Sequence, residues 1–144
     1  MISQQHQRPI QVLLIEDNPG DVRLLEEAFR ELHANIHLQV ARDGAEGIQA
    51  VEVRGAGTTP DLILLDLNLP KISGHDVLSR IKSNPQTRRI PVIVLTSSRA
   101  EMDVRRAYES YANAYLRKPS SLDGLLEAAE HIKNFWMECV TLPQ

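Results

Sequence analysis

The chain has little of what covalently stabilised, nucleic-acid-binding or membrane proteins need. Its 144 residues include one cysteine, Cys139, so no disulfide can form within the chain. Aromatic residues make up only 4% of the sequence, and the formal net charge of −3 provides no broad basic field for nucleic-acid phosphates. No apolar run approaches the roughly 18 residues of a membrane span, and the polar start lacks the apolar stretch of a secretory signal. We therefore expect a cytoplasmic protein that binds neither nucleic acid nor membrane.

The sequence does contain enough apolar residues for one ordinary domain. Hydrophobic residues account for 42% of the chain, and a chain of this length buries roughly 68–70% of the surface that its unfolded form exposes. Residues 1–9 are polar and end in a proline, which predicts a flexible N-terminal tail. We expect the domain itself over residues 10–135 and a C-terminal extension over residues 136–144.

Short apolar runs alternate with stretches of helical period, which predicts β–α units around a parallel sheet. The five runs are residues 12–15, 38–41, 62–65, 92–95 and 114–116. The first, third and fourth are continuously apolar, as expected of central strands covered by helices on both faces. The other two are more mixed and are typical of edge strands. We expect an α/β fold with a doubly wound five-stranded sheet in the flavodoxin-like order 2-1-3-4-5.

Polar residues follow these runs at the sheet edge where such folds bind ligands, near the switch in strand order. Glu16 and Asp17 follow the first run, Asp66 the third, Thr96 the fourth, and Lys118 lies just beyond the fifth. Carboxylates about 4 Å apart repel by about 1 kcal/mol in water and about 4 kcal/mol at the effective dielectric of a protein surface. One Mg²⁺ ion, which prefers oxygen ligands, would offset this repulsion.

A metal flanked by an ammonium group and a hydroxyl is typical of phosphoryl transfer, in which positioning and charge neutralisation supply most of the catalysis. A carboxylate can itself be the nucleophile and form an aspartyl phosphate. Asp66 is the favoured acceptor because it ends a fully apolar run and lies between the acidic pair and Thr96. Each residue alone has an ordinary interpretation as a cap or a surface charge, and their joint occurrence at four strand ends favours a site.

These residues and their flanking motifs resemble the receiver domain of two-component response regulators. The resemblance spans roughly residues 11–135. It rests on the pair Glu16-Asp17, on LILLDLNLP at 62–70, on VIVLTSS at 92–98 and on YLRKP at 115–119. It implies that Asp66 accepts a phosphoryl group from a phosphohistidine of a sensor histidine kinase.

The resemblance also implies a set of metal ligands. Asp17 and Asp66 would bind Mg²⁺ directly, Glu16 would bind it through water, and Asn68 would contribute its backbone carbonyl. The family's acidic pair is often two aspartates, so Glu16 is a mild departure that leaves its water-mediated role open.

Three further roles follow from the same resemblance. Lys118 would pair with the phosphoryl oxygens, and Thr96 would donate a hydrogen bond to them. Tyr115 would rotate with Thr96 and relay the presence of the phosphoryl group to the outer face. The Lys118–Pro119 peptide bond would be cis, against a base rate of about 5–6% for such bonds.

A narrower resemblance points to a class of partner. The motif DNPGD at 17–21 and the ending FWMECVTLP at 135–143 resemble the single-domain regulators that serve bacterial and cyanobacterial phytochromes. This implies a light-regulated histidine kinase as the partner. No output domain is evident in the sequence, so we expect the signal to pass by phosphorylation-dependent binding to a downstream protein that the sequence does not identify.

Apolar residues continue past the length that the last helix of the core needs. They are Phe135, Trp136, Val140 and Leu142. They either fold back onto the same chain or form a homodimer through the fifth helix and this extension, and we expect the homodimer because a monomer would expose them.

Two other functions stay open. A phosphohydrolase of the haloacid dehalogenase type also uses an aspartyl phosphate, but it carries an acid/base aspartate two residues after the nucleophile, where this chain has Asn68. We therefore expect a phosphoacceptor and not a turnover enzyme. A phosphorylation-independent adaptor with a receiver-like shape is the other alternative, and the complete set of acidic residues, Thr96 and Lys118 argues against it.

Overall fold

A computed structural model of the chain describes residues 8–53 and 59–143. Within them, five strands and five α-helices alternate, and the last helix continues into a π-helical segment. Their bounds are β1 Ile10–Ile15, α1 Pro19–Glu31, β2 Ile36–Ala41, α2 Gly44–Glu52, β3 Leu62–Leu65, α3 Gly74–Ser83, β4 Val92–Thr96, α4 Glu101–Glu109, β5 Ala114–Arg117, α5 Leu122–His131 and the π-helical segment Ile132–Cys139. Most of the predicted N-terminal tail, residues 1–7, lies outside the described residues.

The five strands form one parallel sheet in the order β2-β1-β3-β4-β5. The predicted fold class and strand order are therefore confirmed. In the register of the central strands, Ile15 lies beside Leu65, and the ladder continues as the amide of Asp66 donates to the carbonyl of Ile15 at 3.0 Å. The residues that follow β1 and β3 are thus neighbours at the same edge of the sheet.

Both faces of the sheet are buried, which explains why the central strands are continuously apolar. On β1, Leu13 and Ile15 pack with α2, α3 and α4, whereas Val12 and Leu14 pack with α1 and α5. The four side chains are at most 2% exposed. Burying a side chain of this kind fully contributes about 1.5–3 kcal/mol, so these two layers hold the sheet edge rigidly.

Side-chain caps fix where the helices begin at this edge. The Asn18 side chain accepts from the amide of Asp21, and Pro19 occupies the first turn of α1, where proline is favoured. Ser73 caps α3 and Ser121 caps α5 in the same way. Such a cap contributes about 1 kcal/mol, and it sets the helix start relative to the strand before it.

The Lys118–Pro119 bond is trans, so the prediction of a cis bond is wrong: the described residues contain no cis peptide bond. A bond before proline favours trans by about 0.5–1 kcal/mol unless its surroundings demand otherwise. Here the Lys118 amide donates to the Thr96 carbonyl at 2.7 Å, which continues the ladder of β4 and β5 directly to the lysine.

The C-terminal apolar residues divide between the core and the surface. Trp136 is half-buried against the layer formed by α1 and α5, and Phe135 is 56% exposed while its ring meets Trp136 edge to face. Val140 and Leu142 are half-buried. Folding back onto the same chain thus accounts for Trp136 and leaves Phe135 uncovered. Among the described helices, none is long and apolar enough to cross a membrane.

Candidate functional site

Three carboxylates meet where β1 and β3 end. One oxygen from each of Glu16, Asp17 and Asp66 lies within 4.8 Å of the others. Glu16 and Asp66 are 1% and 5% exposed, whereas Asp17 is exposed. The three carboxylates therefore meet as the sequence predicts, and the cluster is buried on the side of the sheet and open to solvent through Asp17.

Lys118 lies against this cluster. Its Nζ is hydrogen-bonded to Glu16 and lies 2.9 Å from Oδ2 of Asp21 and 3.5 Å from Oδ2 of Asp66. Burial alone would lower the pKa of Lys118, but its bonds to Glu16 and Asp21 and the charge of Asp66 raise it above the ordinary 10.5. The ammonium group therefore stays charged, and its three donors are shared among three carboxylates.

Asp21 is a fourth acidic residue of the site that the sequence interpretation missed. Its charge is explained equally well by a place in the first turn of α1, where a negative charge is favourable. The available signal was the short sequence separation between Asp17 and Asp21. Because α1 begins soon after β1 ends, the first turn of the helix lies next to the end of the strand.

Glu16 is the most buried of the acidic residues. Burial raises the pKa of Glu16 to about 7; the bond from Lys118 opposes this rise, and the charge of Asp66 adds to it. The amide of Asn18 also donates to Oε2 of Glu16 at 3.2 Å. The side chain is thus held at both oxygens, and a cation nearby would favour its ionised form.

The Asp66 side chain is held at both oxygens as well. The amide of Asn68 donates to Oδ1 at 3.3 Å, and Lys118 approaches Oδ2. Behind it, a Cβ added to Gly74 would lie 2.3 Å from the Asp66 carbonyl oxygen and 2.4 Å from Cα of Leu67. Glycine at this position lets α3 pack directly on the backbone that carries Asp66, a role that the sequence interpretation also missed.

Thr96 and Tyr115 meet through the loop that joins β4 to α4, residues 97–100. Thr96 is fully buried, and its Oγ1 accepts from the amide of Ser98 at 3.4 Å. The Tyr115 hydroxyl donates to the carbonyl of Ser98 at 3.1 Å. Burial raises the pKa of Tyr115 more than this bond lowers it, so the phenol keeps its proton as a donor. The two predicted switch residues, Thr96 and Tyr115, therefore both contact Ser98.

These groups fit a hard divalent cation. Carboxylate oxygens close enough to share one ion, with one open side for water, are the ligands that Mg²⁺ and Mn²⁺ accept. Lys118 lies beside the same carboxylates, Thr96 ends the neighbouring strand β4, and an ammonium group and a hydroxyl are both suited to oxyanions. The arrangement can thus place an anionic group next to the nearly buried carboxylate of Asp66.

A doubly wound parallel sheet with an acidic cluster, a lysine and a buried threonine at its switch point defines a phosphoacceptor signalling domain. The sequence matches the family "response regulator receiver domain" over residues 12–130. The chain belongs to this family, which confirms the first resemblance.

Two curated relatives extend this result along the chain. Response regulator Rcp1 of Synechocystis sp. is 41% identical over 145 residues, covering 99% of this chain and 99% of that protein. The probable methanogenesis regulatory protein FilR2 of Methanothrix harundinacea is 40% identical over 131 residues, covering 90% of this chain and 84% of FilR2.

Two solved structures share the fold. The Mn²⁺-bound form of response regulator Rcp1 matches with a TM-score of 0.87 and 42% identity over 94% of this chain and all of that one. The phosphorylated cyanobacterial phytochrome response regulator RcpA matches with a TM-score of 0.89 and 39% identity over 94% of this chain and 99% of that one. The resemblance to phytochrome response regulators is therefore confirmed.

Proposed function

We propose that this chain accepts a phosphoryl group onto Asp66 from a phosphohistidine of a sensor histidine kinase. The observation that carries the proposal is the surroundings of Asp66: the Lys118 ammonium group lies 3.5 Å from its Oδ2, and carboxylate oxygens of Glu16 and Asp17 lie within 4.8 Å. RcpA, which shares the fold, is itself phosphorylated.

The metal-binding residues are those of the acidic cluster. Asp17 and Asp66 would bind Mg²⁺ directly, Glu16 through water, and Asn68 through its backbone carbonyl. When bound, the cation supplies positive charge that offsets the repulsion between the carboxylates and the incoming phosphoryl oxygens. The Mn²⁺-bound structure of Rcp1 supports this assignment.

The transfer itself is a substitution at phosphorus. An oxygen of Asp66 forms the new P–O bond, the P–N bond to the kinase imidazole breaks, and the imidazole leaves with the bonding electron pair. The single negative charge of the Asp66 carboxylate is replaced by nearly two negative charges on the phosphoryl group. Lys118 would pair with the phosphoryl oxygens, and Thr96 would donate to them from the end of β4.

We expect phosphorylation to alter a surface to which a downstream protein binds. Tyr115 is the residue through which we expect this change to pass, because its hydroxyl is bonded to the loop that follows Thr96. The kinase is of the phytochrome type, since RcpA is a phytochrome response regulator with 39% identity to this chain. We expect this exchange to take place in the cytoplasm.

A homodimer is part of the same proposal. Phe135 is 56% exposed beside the half-buried Trp136, in the π-helical segment that continues α5. We propose that a second copy of the chain covers Phe135 together with Val140 and Leu142.

The chain is proposed to be a phosphoacceptor and not a hydrolase, because Asn68 is an amide where the haloacid dehalogenase type carries an acid/base aspartate.

The test is the intact mass of the protein after incubation with Mg²⁺ and acetyl phosphate. The parent protein should gain one phosphoryl group, and Asp66→Asn should gain none. Equal labelling of the Asp66→Asn variant would contradict the assignment of the acceptor. If the parent gains no mass from acetyl phosphate or from a phytochrome-type kinase, the phosphorylation-independent adaptor becomes the better interpretation.

A further inference from the structure

A buried histidine outside the acidic cluster connects two helices. His75 is the second residue of α3, its side chain is 7% exposed, and its Nε2 lies 2.9 Å from Oδ1 of Asp103 in the first turn of α4. Its Nδ1 is buried and has no hydrogen-bond partner within residues 8–53 and 59–143. Because an ionised carboxylate can only accept, this bond assigns the proton to Nε2. The ring therefore joins α3 to α4 through one directed bond.

The Asp103 carboxylate connects His75 to the loop between β4 and α4. Its Oδ2 accepts from the hydroxyl of Ser98, so both of its oxygens are occupied. The bond from Ser98, followed by the bond from His75, holds the pKa of Asp103 below its ordinary value of 3.8. The carboxylate is thus ionised at neutral pH and suited to hold both donors.

Ser98 in turn contacts both residues that are expected to respond to phosphorylation. Its amide donates to Oγ1 of Thr96, and its carbonyl accepts from the hydroxyl of Tyr115. Because the Thr96 oxygen accepts from the backbone, its own proton is available for another acceptor. The position of Ser98 therefore sets the direction in which the Thr96 hydroxyl can donate.

At the His75 end of these contacts, the start of α3 is tightly packed. The amide of Gly74 donates to the carbonyl of Leu67 at 3.0 Å, and α3 packs on the backbone of Asp66 without room for a Cβ. The loop is the less constrained end: Ser97, Arg99 and Ala100 are exposed, and α4 starts without a side-chain cap at Ala100. Together with the bond from Tyr115, the bonds through Asp103 to α3 therefore position this loop.

We propose that His75 and Asp103 are positioning residues that hold Ser98 so that the Thr96 hydroxyl is placed to donate to a phosphoryl group on Asp66. This inference rests on the function proposed above. A donor that is fixed in advance does not have to reorganise during the transfer, which is the condition under which such a group accelerates a reaction. Losing the bond between His75 and Asp103 should therefore slow phosphorylation and leave metal binding unchanged.

Two variants of one position separate the bond from the volume of the ring. The amide nitrogen of His75→Gln reaches about as far as Nε2, whereas that of His75→Asn reaches only as far as Nδ1. We expect His75→Asn to lower the phosphorylation rate by acetyl phosphate by about threefold to thirtyfold and His75→Gln to stay within about twofold of the parent. Mg²⁺ affinity, measured by calorimetry, should be the same in all three proteins.

Asp103→Ala tests the same path from its other end, because it removes the acceptors of both His75 and Ser98. It keeps the test valid if His75→Asn does not fold, because the Asp103 side chain is 34% exposed. The double variant His75→Asn/Asp103→Ala should be no slower than the slower single variant, because both changes break one path. Asp123→Ala, in the exposed first turn of α5, is the matched control and should behave like the parent.

The outcomes separate this inference from the proposed function. A phosphorylated parent with both His75→Asn and Asp103→Ala at the parent rate would overturn the inference alone. Additive effects in the double variant, or weaker Mg²⁺ binding by His75→Asn, would show a general structural role and would also overturn it. A parent that no donor phosphorylates would overturn both.

Discussion

Lys118 Nζ lies 2.9 Å from Oδ2 of Asp21, which is closer than its 3.5 Å approach to Oδ2 of Asp66. The residues are 97 positions apart in the sequence, and the contact joins the end of β5 to the first turn of α1. Asp21 is 31% exposed at its side chain and Lys118 only 9%. Asp21 therefore competes with the phosphoacceptor for the same ammonium group.

This competition predicts the effect of Asp21→Asn. The change removes a negative charge that attracts Lys118 and repels the incoming phosphoryl group, so phosphorylation by acetyl phosphate should become faster. A partly exposed ion pair contributes about 0.2–1 kcal/mol, which corresponds to an increase of up to about fivefold. Initial rates measured by intact mass check this, with Asp123→Asn as the control. A slower rate would mean that Asp21 is needed to hold Lys118 in place.

Gly74→Ala should destabilise the protein by about 1–3 kcal/mol, the usual cost of overpacking. The new Cβ would lie 2.3 Å from the carbonyl oxygen of Asp66, so α3 or the end of β3 would have to move. Urea unfolding measures the change. Ser79→Ala, at an exposed position of the same helix, is the control and should stay within about 0.5 kcal/mol of the parent. Equal stability of the two variants would contradict the close packing at Gly74.

Asp103 should make stability depend on acid pH. Its pKa is lower in the folded protein than the ordinary 3.8, chiefly because of the bond from Ser98. The ionised Asp103 therefore stabilises the folded state fully above pH 3.8. This stabilisation is lost as the pH falls through the lower pKa of Asp103 in the folded protein, because the carboxylate is then protonated in the folded and the unfolded state alike. Urea unfolding at a series of pH values should show that the difference in unfolding free energy between the parent and Asp103→Asn shrinks in that pH range. A constant difference down to the lowest pH would contradict the prediction.

The proposed homodimer predicts that Phe135→Lys lowers self-association. A charge in an apolar interface must be desolvated without a partner, so the variant should sediment as a monomer at concentrations where the parent is dimeric. Met102→Lys, on α4, is the matched control: Met102 is 80% exposed, and its replacement should leave the mass unchanged. A parent that is monomeric at every concentration tested would remove the homodimer.

The sequence by itself determined the elements, their order and the acidic cluster, because each depends on short-range patterns. Continuous apolar runs mark strands buried on both faces. Asn18 followed by Pro19 is a pair of residue types that favours a helix start, and α1 begins there. In a parallel sheet, residues that follow neighbouring strands share one edge, so Glu16, Asp17 and Asp66 were predicted together.

The tertiary structure alone decided which side chains pair across that edge. The bonds of Asp21 with Lys118 and of His75 with Asp103 join residues 97 and 28 positions apart, and each partner also has an ordinary local interpretation. The trans bond before Pro119 and the half-buried Trp136 likewise depend on neighbours that no sequence window contains. Periodicity and capping are properties of adjacent residues, whereas such contacts depend on strand register, helix packing and side-chain rotamers, which exist only once the chain has folded.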